Sequence, residues 1–383
     1  MRHVIIGGGI AGVTAAEELR KLDPDAEITI VSEEHHPLYS RVLLPHYLKG
    51  KIPRERVFLK KETWYAEKNT EWMTGVMATS LNAKNKFVTL SNGRELEYDK
   101  LLIATGGELR TIEADLRGVS YLRTLDDADH LLQLLGERTG TSPAAVYGGG
   151  FIACEYINFF AHHQVPTRVG LRGSYFWSRV LEHEAGALIQ KQLDTHGVQI
   201  MPNVNLLDMI DEKEIKHSCS ILGVGIGIQP DFSWMREAGL EVESGIKCDA
   251  FLKTNLPDVY AAGDVAEFYD VIVGRHVHVG NWMNAQMQGR HVAKSMMGQE
   301  VPFALVSSYA TNILGLEIIF IGDVSKQEAD EVKLFGSAEE GGVAQLFGRK
   351  GQLVGAVLIG RNQDRAIITK MIQARDLLVN FSK

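Results

Sequence analysis

The fold is decided at residues 2–34, RHVIIGGGIAGVTAAEELRKLDPDAEITIVSEE. HVII is an apolar run of strand length, GGGIAG follows as a turn, and VTAAEELRKL places its apolar residues at helical spacing. Pro24 and Asp25 stop that helix, and the β-branched EITIV reads as the next strand. The motif Gly7-x-Gly9-x-x-Gly12 thus sits where the first strand hands over to its helix. Gly7 permits the tight turn, Gly9 lets a pyrophosphate approach bare backbone, and Gly12 lets helix and strand pack closely. The helix N-terminus offers free N–H groups and partial positive charge to phosphates. Such a site wants a carboxylate at the end of the second strand for a ribose hydroxyl, and Glu33 and Glu34 stand there. The segment is expected to bind a dinucleotide.

Residues 142–172 repeat the plan: AAVY, then GGGFIACE opening an apolar helix, then TRVGL. Here the motif is Gly148-x-Gly150-x-x-Ala153, with alanine as the permitted third residue. The acid at the end of the next strand is missing; Leu171 falls there, followed by Arg172. An arginine at that place accommodates a 2′-phosphate, or simply faces water, so NADH and NADPH both remain open. Between and beyond the two units, FVTLSNG and YDKLLIATGG read as strands, and CSILGVGIGI (219–228) as an apolar strand closed by Gln229-Pro230. TNLPDVYAAGDV (254–265) reads as a turn, a strand, and a Gly-Asp at a helix start. In 301–383, strands LEIIFIG, GVAQLFG and QLVGAVLIG precede a helix from about Arg361 to Leu377. The expected class is α/β: two Rossmann-like dinucleotide-binding domains, the second inserted in the first, plus a small C-terminal α+β domain. The expected boundaries are 1–108, 109–228, 229–300 and 301–383.

The 383 residues are 45% hydrophobic and 23% charged, as in a soluble globular protein. A net charge of −8 argues against general nucleic-acid affinity. No apolar stretch approaches the roughly 20 residues of a membrane span. Met1 leads straight into a strand with no signal peptide, so a cytoplasmic address is expected. Cys154, Cys219 and Cys248 form no CxxC pattern, which points to neither a zinc site nor an internal redox disulfide. His276 and His278 share one face of a possible strand and are better read as surface or satisfied histidines than as metal ligands.

In order, VIIGGGIAG, the acidic pair before PLYSR, LLIATGG, YLRTLDDAD, YGGGFIACE, VYAAGDVAEF and NWMNAQMQGR make nearly the whole chain resemble the FAD-dependent pyridine nucleotide oxidoreductases. That superfamily includes ferredoxin and rubredoxin reductases, the flavin domain of assimilatory nitrite reductase and glutathione-reductase-like enzymes. The resemblance implies FAD as cofactor and NADH or NADPH as substrate. It implies that Gly7, Gly9, Ile10, Ala11 and Gly12 hold the FAD pyrophosphate, with Glu33 or Glu34 on its ribose. Arg41 and Arg123 would contact FAD, and Ala78, Thr105 and Gly106 would lie beside it. Gly263 and Asp264 would meet the ribityl chain, with a helix N-terminus there facing the flavin, and Asn281 and Trp282 would lie near the isoalloxazine. Gly148, Gly150, Phe151, Ile152, Arg172 and Gly225 would line the nicotinamide nucleotide, with Glu155 near the nicotinamide.

The departures narrow the reading. Disulfide-reducing members carry cysteine where this chain reads PLYSRVLLPHYLKG. A thiolate is the nucleophile of disulfide exchange, so dithiol substrates are not expected. His46 stands where ferredoxin-reductase-like members have a lysine, and the second domain is abbreviated in the manner of the rubredoxin-reductase branch. The implied activity is hydride transfer from nicotinamide to flavin, then electron transfer to a protein such as rubredoxin without a redox-active disulfide. An NAD(P)H oxidase or quinone reductase, or a nucleotide-sensing flavoprotein that binds a partner, are the alternatives. The implied partner is a small acidic carrier of rubredoxin or ferredoxin type. The segment 49–61, with Lys49, Lys51, Arg54, Arg56, Lys60 and Lys61 against one acid, is either its docking face or a solvated loop.

Overall fold

Contacts divide the computed structural model, which describes residues 1–112, 118–211, 214–215 and 219–381, into two units. The first comprises Met1–Val42, Arg54–Glu108 and Ile228–Ser307; the second comprises Leu43–Pro53, Leu109–Gly227 and Ser308–Lys383.

The first unit is built on a parallel sheet in the order Val259–Ala261, Lys100–Ile103, Arg2–Ile6, Glu27–Ser32, Thr70–Thr74. Val4, Ile5, Ile6, Leu101, Leu102 and Ile103 are all buried, as strands covered on both faces require. The helix Ile10–Leu22 buries Val13, Ala15, Ala16 and Leu19. It crosses the helix Trp282–Met296 so closely that a Cβ on Gly289 would fall 2.3 Å from the Ala11 carbonyl oxygen. From Arg2–Ile6 the chain winds outward to Glu27–Ser32 and Thr70–Thr74, then returns to the other side with Lys100–Ile103. That reversal opens a crevice at the C-terminal end of Arg2–Ile6, where the first glycine loop lies.

The helix expected at Gly263-Asp264 is not there. The chain turns at Gly263 (φ +84°) and enters the strand Ala266–Asp270. The reason is tertiary: Gln288 takes the Gly263 N–H and the His278 ring bonds the Asp264 carbonyl, so no helical turn is needed to satisfy these groups. The helix of this region starts later, at Trp282, with Asn281 as its N-cap.

The second unit repeats the winding. Its parallel sheet runs Gln199–Met201, Thr167–Gly170, Ala144–Tyr147, Leu222–Val224, Val119–Ser120. The strand expected over 219–228 shrinks to Leu222–Val224 here, because Gly225 and Gly227 (φ +96°) break the extended run. The helix Leu125–Glu137 begins with a capping box: Thr124 Oγ1 accepts from Asp127 N (3.1 Å) and the Asp127 carboxylate accepts from Thr124 N (2.8 Å). The remainder is an antiparallel sheet, Ser308–Ile313, Leu316–Gly322, Gln352–Ile359, Gly342–Arg349, Glu331–Ser337, with the helix Arg365–Ala374. Ser308–Ile313 and Glu331–Ser337 escaped the sequence reading because they are edge strands with little of the apolar signal of buried ones. The terminal helix stops at Ala374, short of Leu377, because Arg375 turns left-handed (φ 56°) and Leu377 bridges to Gln352. Among the described residues no helix is long and apolar enough to cross a membrane.

Candidate functional site

The three glycines of the first loop answer to three different surroundings. Gly7 has φ +123°, and a Cβ there would lie 2.1 Å from the Ala104 carbonyl oxygen. A Cβ on Gly12 would lie 2.0 Å from the Gly7 carbonyl oxygen. A Cβ on Gly9 would meet nothing within 4 Å, and Gly9 has an ordinary extended backbone (φ −77°, ψ −173°). Two of these glycines are therefore demanded by the protein's own packing, and the third opens onto space. Gly9 is also the N-cap of Ile10–Leu22, with no side-chain cap and no acid in the first turn, so the helix end offers its donors outward.

That space is a cleft lined by Gly9, Ile10, Ser32, Glu34, Arg41 and Trp282, among others. Glu34 accepts from Arg41 (2.6 Å) and from the Tyr39 hydroxyl (2.5 Å). Of the acidic pair, Glu34 lines the cleft, whereas Glu33 is exposed and adds to the negative surroundings of Glu108. Burial, then Glu33 and Asp231, raise the Glu108 carboxyl above its ordinary range. Thr105 and Gly106 (φ +73°) follow the Ala104 carbonyl that Gly7 abuts, Ala11 is buried under the loop, and Ala78 is buried at the start of Ala78–Asn82. An open helix end, a bare backbone and a carboxylate fit the pyrophosphate and ribose of a dinucleotide.

Asp264 lies beside the approach to the helix Trp282–Met296, since a Cβ on Gly280 would come 3.6 Å from its carboxyl carbon. Asn281 spends its side chain on the cap: Oδ1 accepts from Asn284 N (2.9 Å) and Nδ2 donates to Ser307 Oγ (2.8 Å). Trp282 is the residue of this motif that reaches the cleft. Arg123 belongs to the second unit, where its backbone N–H donates to Asp127 (2.9 Å).

The second loop repeats the logic of the first. Gly148 has φ +136°, and its Cβ would fall 2.3 Å from the Gly225 carbonyl oxygen, as Gly7 faces Ala104. Ala153, in the place of Gly12, is fully buried. Gly150 caps the helix Phe151–His162 with no side-chain partner. Ile152 is half-buried beside Gly225, whose Cβ would meet it at 3.3 Å, and Arg172 is exposed. Glu155, one turn into the helix, is raised by burial to about 7, with Lys49 pulling the other way.

An aromatic cluster that the sequence did not reveal flanks this loop. The Phe151 ring meets Trp177 (5.3 Å), Tyr309 (5.2 Å) and Phe320 (5.0 Å), and Tyr309 stacks on Phe320 (5.4 Å). Trp177 is left-handed (φ 51°) and donates its backbone N–H to the Gly149 carbonyl (3.0 Å). No pattern in 142–172 points to partners so distant in the chain.

Cys154 and Cys248 are buried and Cys219 half-buried, and burial pushes all three thiols up. Reactive cysteines need the opposite. Among the described residues no cluster of His, Cys, Asp and Glu is suited to a metal ion. His276 and His278 are exposed on Arg275–His278, and His278 serves the Asp264 carbonyl (2.6 Å). Of the basic segment, Lys60 is engaged with Glu17 (3.2 Å) and the Trp64 ring, whereas Lys51, Arg56 and Lys61 are exposed.

Residues 1–289 match the family described as pyridine nucleotide-disulphide oxidoreductase. The chain is 28% identical to the NADH-rubredoxin oxidoreductase of Clostridium acetobutylicum, over 99% of this chain and 95% of that protein. It is 29% identical to the ferredoxin–NAD(+) reductase component of the biphenyl dioxygenase system of Paraburkholderia xenovorans, over 97% and 93%. The crystal structure of the Clostridium acetobutylicum NADH:rubredoxin oxidoreductase superposes with a TM-score of 0.84 at 25% identity, covering 100% of this chain and 97% of that one. The chain therefore belongs to the pyridine nucleotide-disulphide oxidoreductase family and is an FAD-dependent NAD(P)H oxidoreductase that carries no redox-active disulfide.

Proposed function

We propose that the enzyme is a reductase taking electrons from NADH and delivering them to a small acidic iron carrier of rubredoxin or ferredoxin type. In this reading the first unit holds FAD through Gly7, Gly9, Ile10, Ala11 and Gly12, with Glu34, Arg41, Gly263, Asp264 and Trp282. The second holds the nicotinamide dinucleotide through Gly148, Gly150, Phe151, Ile152 and Gly225. The observation that carries the reading is the open surrounding of Gly9 at an uncapped helix end, a space the protein itself does not use.

FAD held there would supply the electron chemistry, converting a hydride donor's two electrons into single-electron transfers. The chain's own residues bind and orient. The N–H donors at each uncapped helix end, beyond Gly9 and Gly150, would hold a pyrophosphate. The Glu34–Arg41 pair keeps a carboxylate positioned in the first cleft. Phe151 and Trp177 pack edge to face beside the second loop and would form an apolar wall there. No thiol relays electrons, since all three cysteines favour the protonated form.

The carrier is supported by the names of both relatives, one a rubredoxin reductase and one a ferredoxin reductase, and by the exposed cations Arg56 and Lys61 of the first unit. The same names carry NADH or NAD(+), which favours NADH as donor. The test is anaerobic reduction of the flavin by NADH or NADPH, followed by mixing with rubredoxin, a [2Fe–2S] ferredoxin or air. Fast bleaching by NADH and reoxidation faster by a carrier than by oxygen are expected. Reoxidation equally fast in air would assign an oxidase instead.

A further inference from the structure

On the helix Trp282–Met296, Asn284 and Gln288 stand one turn apart and point into the core, 1% and 0% exposed. Gln288 Oε1 accepts the Gly263 N–H at 2.7 Å, and Gln288 Nε2 donates to Asn284 Oδ1 at 2.5 Å. The Asn284 Nδ2 group is buried and has no partner among the described residues. The direction of this relay follows from chemistry. A backbone N–H only donates, so the oxygen of Gln288 must face Gly263. Its amide nitrogen must then donate, and the oxygen of Asn284 must accept. Two apolar side chains would remove the unpaired Asn284 donor but leave the buried Gly263 N–H without its acceptor. What the amides provide is an acceptor for one backbone N–H.

That N–H belongs to a turn under several constraints. Gly263 is left-handed, and the Ala11 methyl lies 3.1 Å from where its Cβ would stand. Its carbonyl accepts from Ala266 N (3.0 Å), and the next carbonyl, of Asp264, is bonded by His278 (2.6 Å). Gln288 supplies the hold on the N–H side. We propose that Gln288, oriented by Asn284, is a positioning residue for the flavin, acting through the Gly263–Asp264 turn. Without its oxygen a buried N–H is left unpaired, the turn is held from its carbonyl side alone, and the Asp264 carboxylate is less firmly positioned.

The inference rests on the assignment of Asp264 to FAD, so the experiment separates the two. Flavin release is measured on dilution of the holoenzyme, by fluorescence of freed FAD, for wild type, Q288L, Q288E and D264A, with circular dichroism of the bound flavin as a spectroscopic readout. Q288L is expected to weaken FAD at least about tenfold, the loss of one buried hydrogen bond, and to alter the flavin dichroism. Q288E keeps an oxygen for Gly263 and lets Asn284 turn its NH₂ toward the second oxygen, so it is expected to recover most of the affinity. The reverse order, leucine tolerated and glutamate not, would reduce Gln288 to packing and overturn the proposal. D264A binding FAD like wild type would remove the Asp264 assignment, whereas a weak D264A beside a normal Q288L would remove the relay alone. If Q288L does not fold, amide exchange at Gly263 decides: slow exchange in wild type that quickens in N284A is expected, and fast exchange in wild type overturns the relay.

Discussion

Replacing Gly9 by alanine separates cofactor binding from folding. The added methyl meets nothing within 4 Å, and φ −77°, ψ −173° suits any residue. Alanine at an N-cap costs a few tenths of a kcal/mol or more, and a less flexible unfolded chain returns about 0.4–1 kcal/mol, so the flavin-free protein should melt close to wild type. With FAD the methyl occupies the closest approach of the pyrophosphate to the backbone. Loss of one charge-assisted hydrogen bond is worth about 1.5–3 kcal/mol, or a rise in Kd of roughly 10- to 150-fold. Gly7→Ala is the contrast. Its Cβ would lie 2.1 Å from the Ala104 carbonyl with φ at +123°, so overpacking and backbone strain together cost about 2–6 kcal/mol in the flavin-free protein itself. Thermal melts of the flavin-stripped full chain and fluorescence titration with FAD measure both quantities. An unchanged Kd in Gly9→Ala, or a melting point lowered as far as in Gly7→Ala, would refute the assignment of the two glycines to different tasks.

Other outcomes follow from charge and burial. His3 is buried, neither ring nitrogen has a partner among the described residues, and desolvation lowers it to about 4. The unfolded chain takes up that proton first, so stability should fall as pH drops from about 6.5 to 4, by about 3 kcal/mol, and His3→Leu should flatten this limb in urea melts; a parallel limb in the variant contradicts it. Glu155 acts in the opposite sense: its carboxyl, raised by burial to about 7, stays protonated where the unfolded chain has ionised, so stability falls as pH rises from 4.5 to 7. Glu155→Gln should remove that slope and any step near pH 7 in the rate of flavin reduction by NADH. For the carrier, substituting Arg56 and Lys61 together by serine should lower the rate of carrier reduction several-fold at low ionic strength and converge with wild type at high salt; identical salt curves would dismiss the cations as a docking face.

The glycine turns are legible in the sequence because their requirements are local: a positive φ or a backbone contact leaves glycine no substitute, and the strand and helix around it carry their own periodicity. The winding of both sheets follows from that. Gly263-Asp264 misled for an instructive reason. A glycine and an acid after a strand are a common way to begin a helix, and only Gln288 and His278, from elsewhere in the chain, show that this turn is satisfied otherwise. Asn281 carries the capping signal in the same region, three residues beyond a strand that itself has little apolar content. The choice of Glu34 over Glu33 depends on Arg41 and Tyr39, and the cluster of Trp177 and Phe151 depends on Phe320, on a strand far along the chain. Neither leaves a periodic trace.

The first unit is assembled from three separated stretches, and this has a cost during synthesis. When residues 1–108 leave the ribosome, the strand Lys100–Ile103 has no neighbour on its outer side until Val259–Ala261 emerges. At ~5–20 residues per second that wait lasts roughly ten to thirty seconds. Throughout it a nascent chain presents a bare apolar edge, open to pairing with a neighbour on the same polysome. Trp282, on the rim of the cleft, and Gln288, which holds the Gly263 turn, emerge later still, after that edge has been covered.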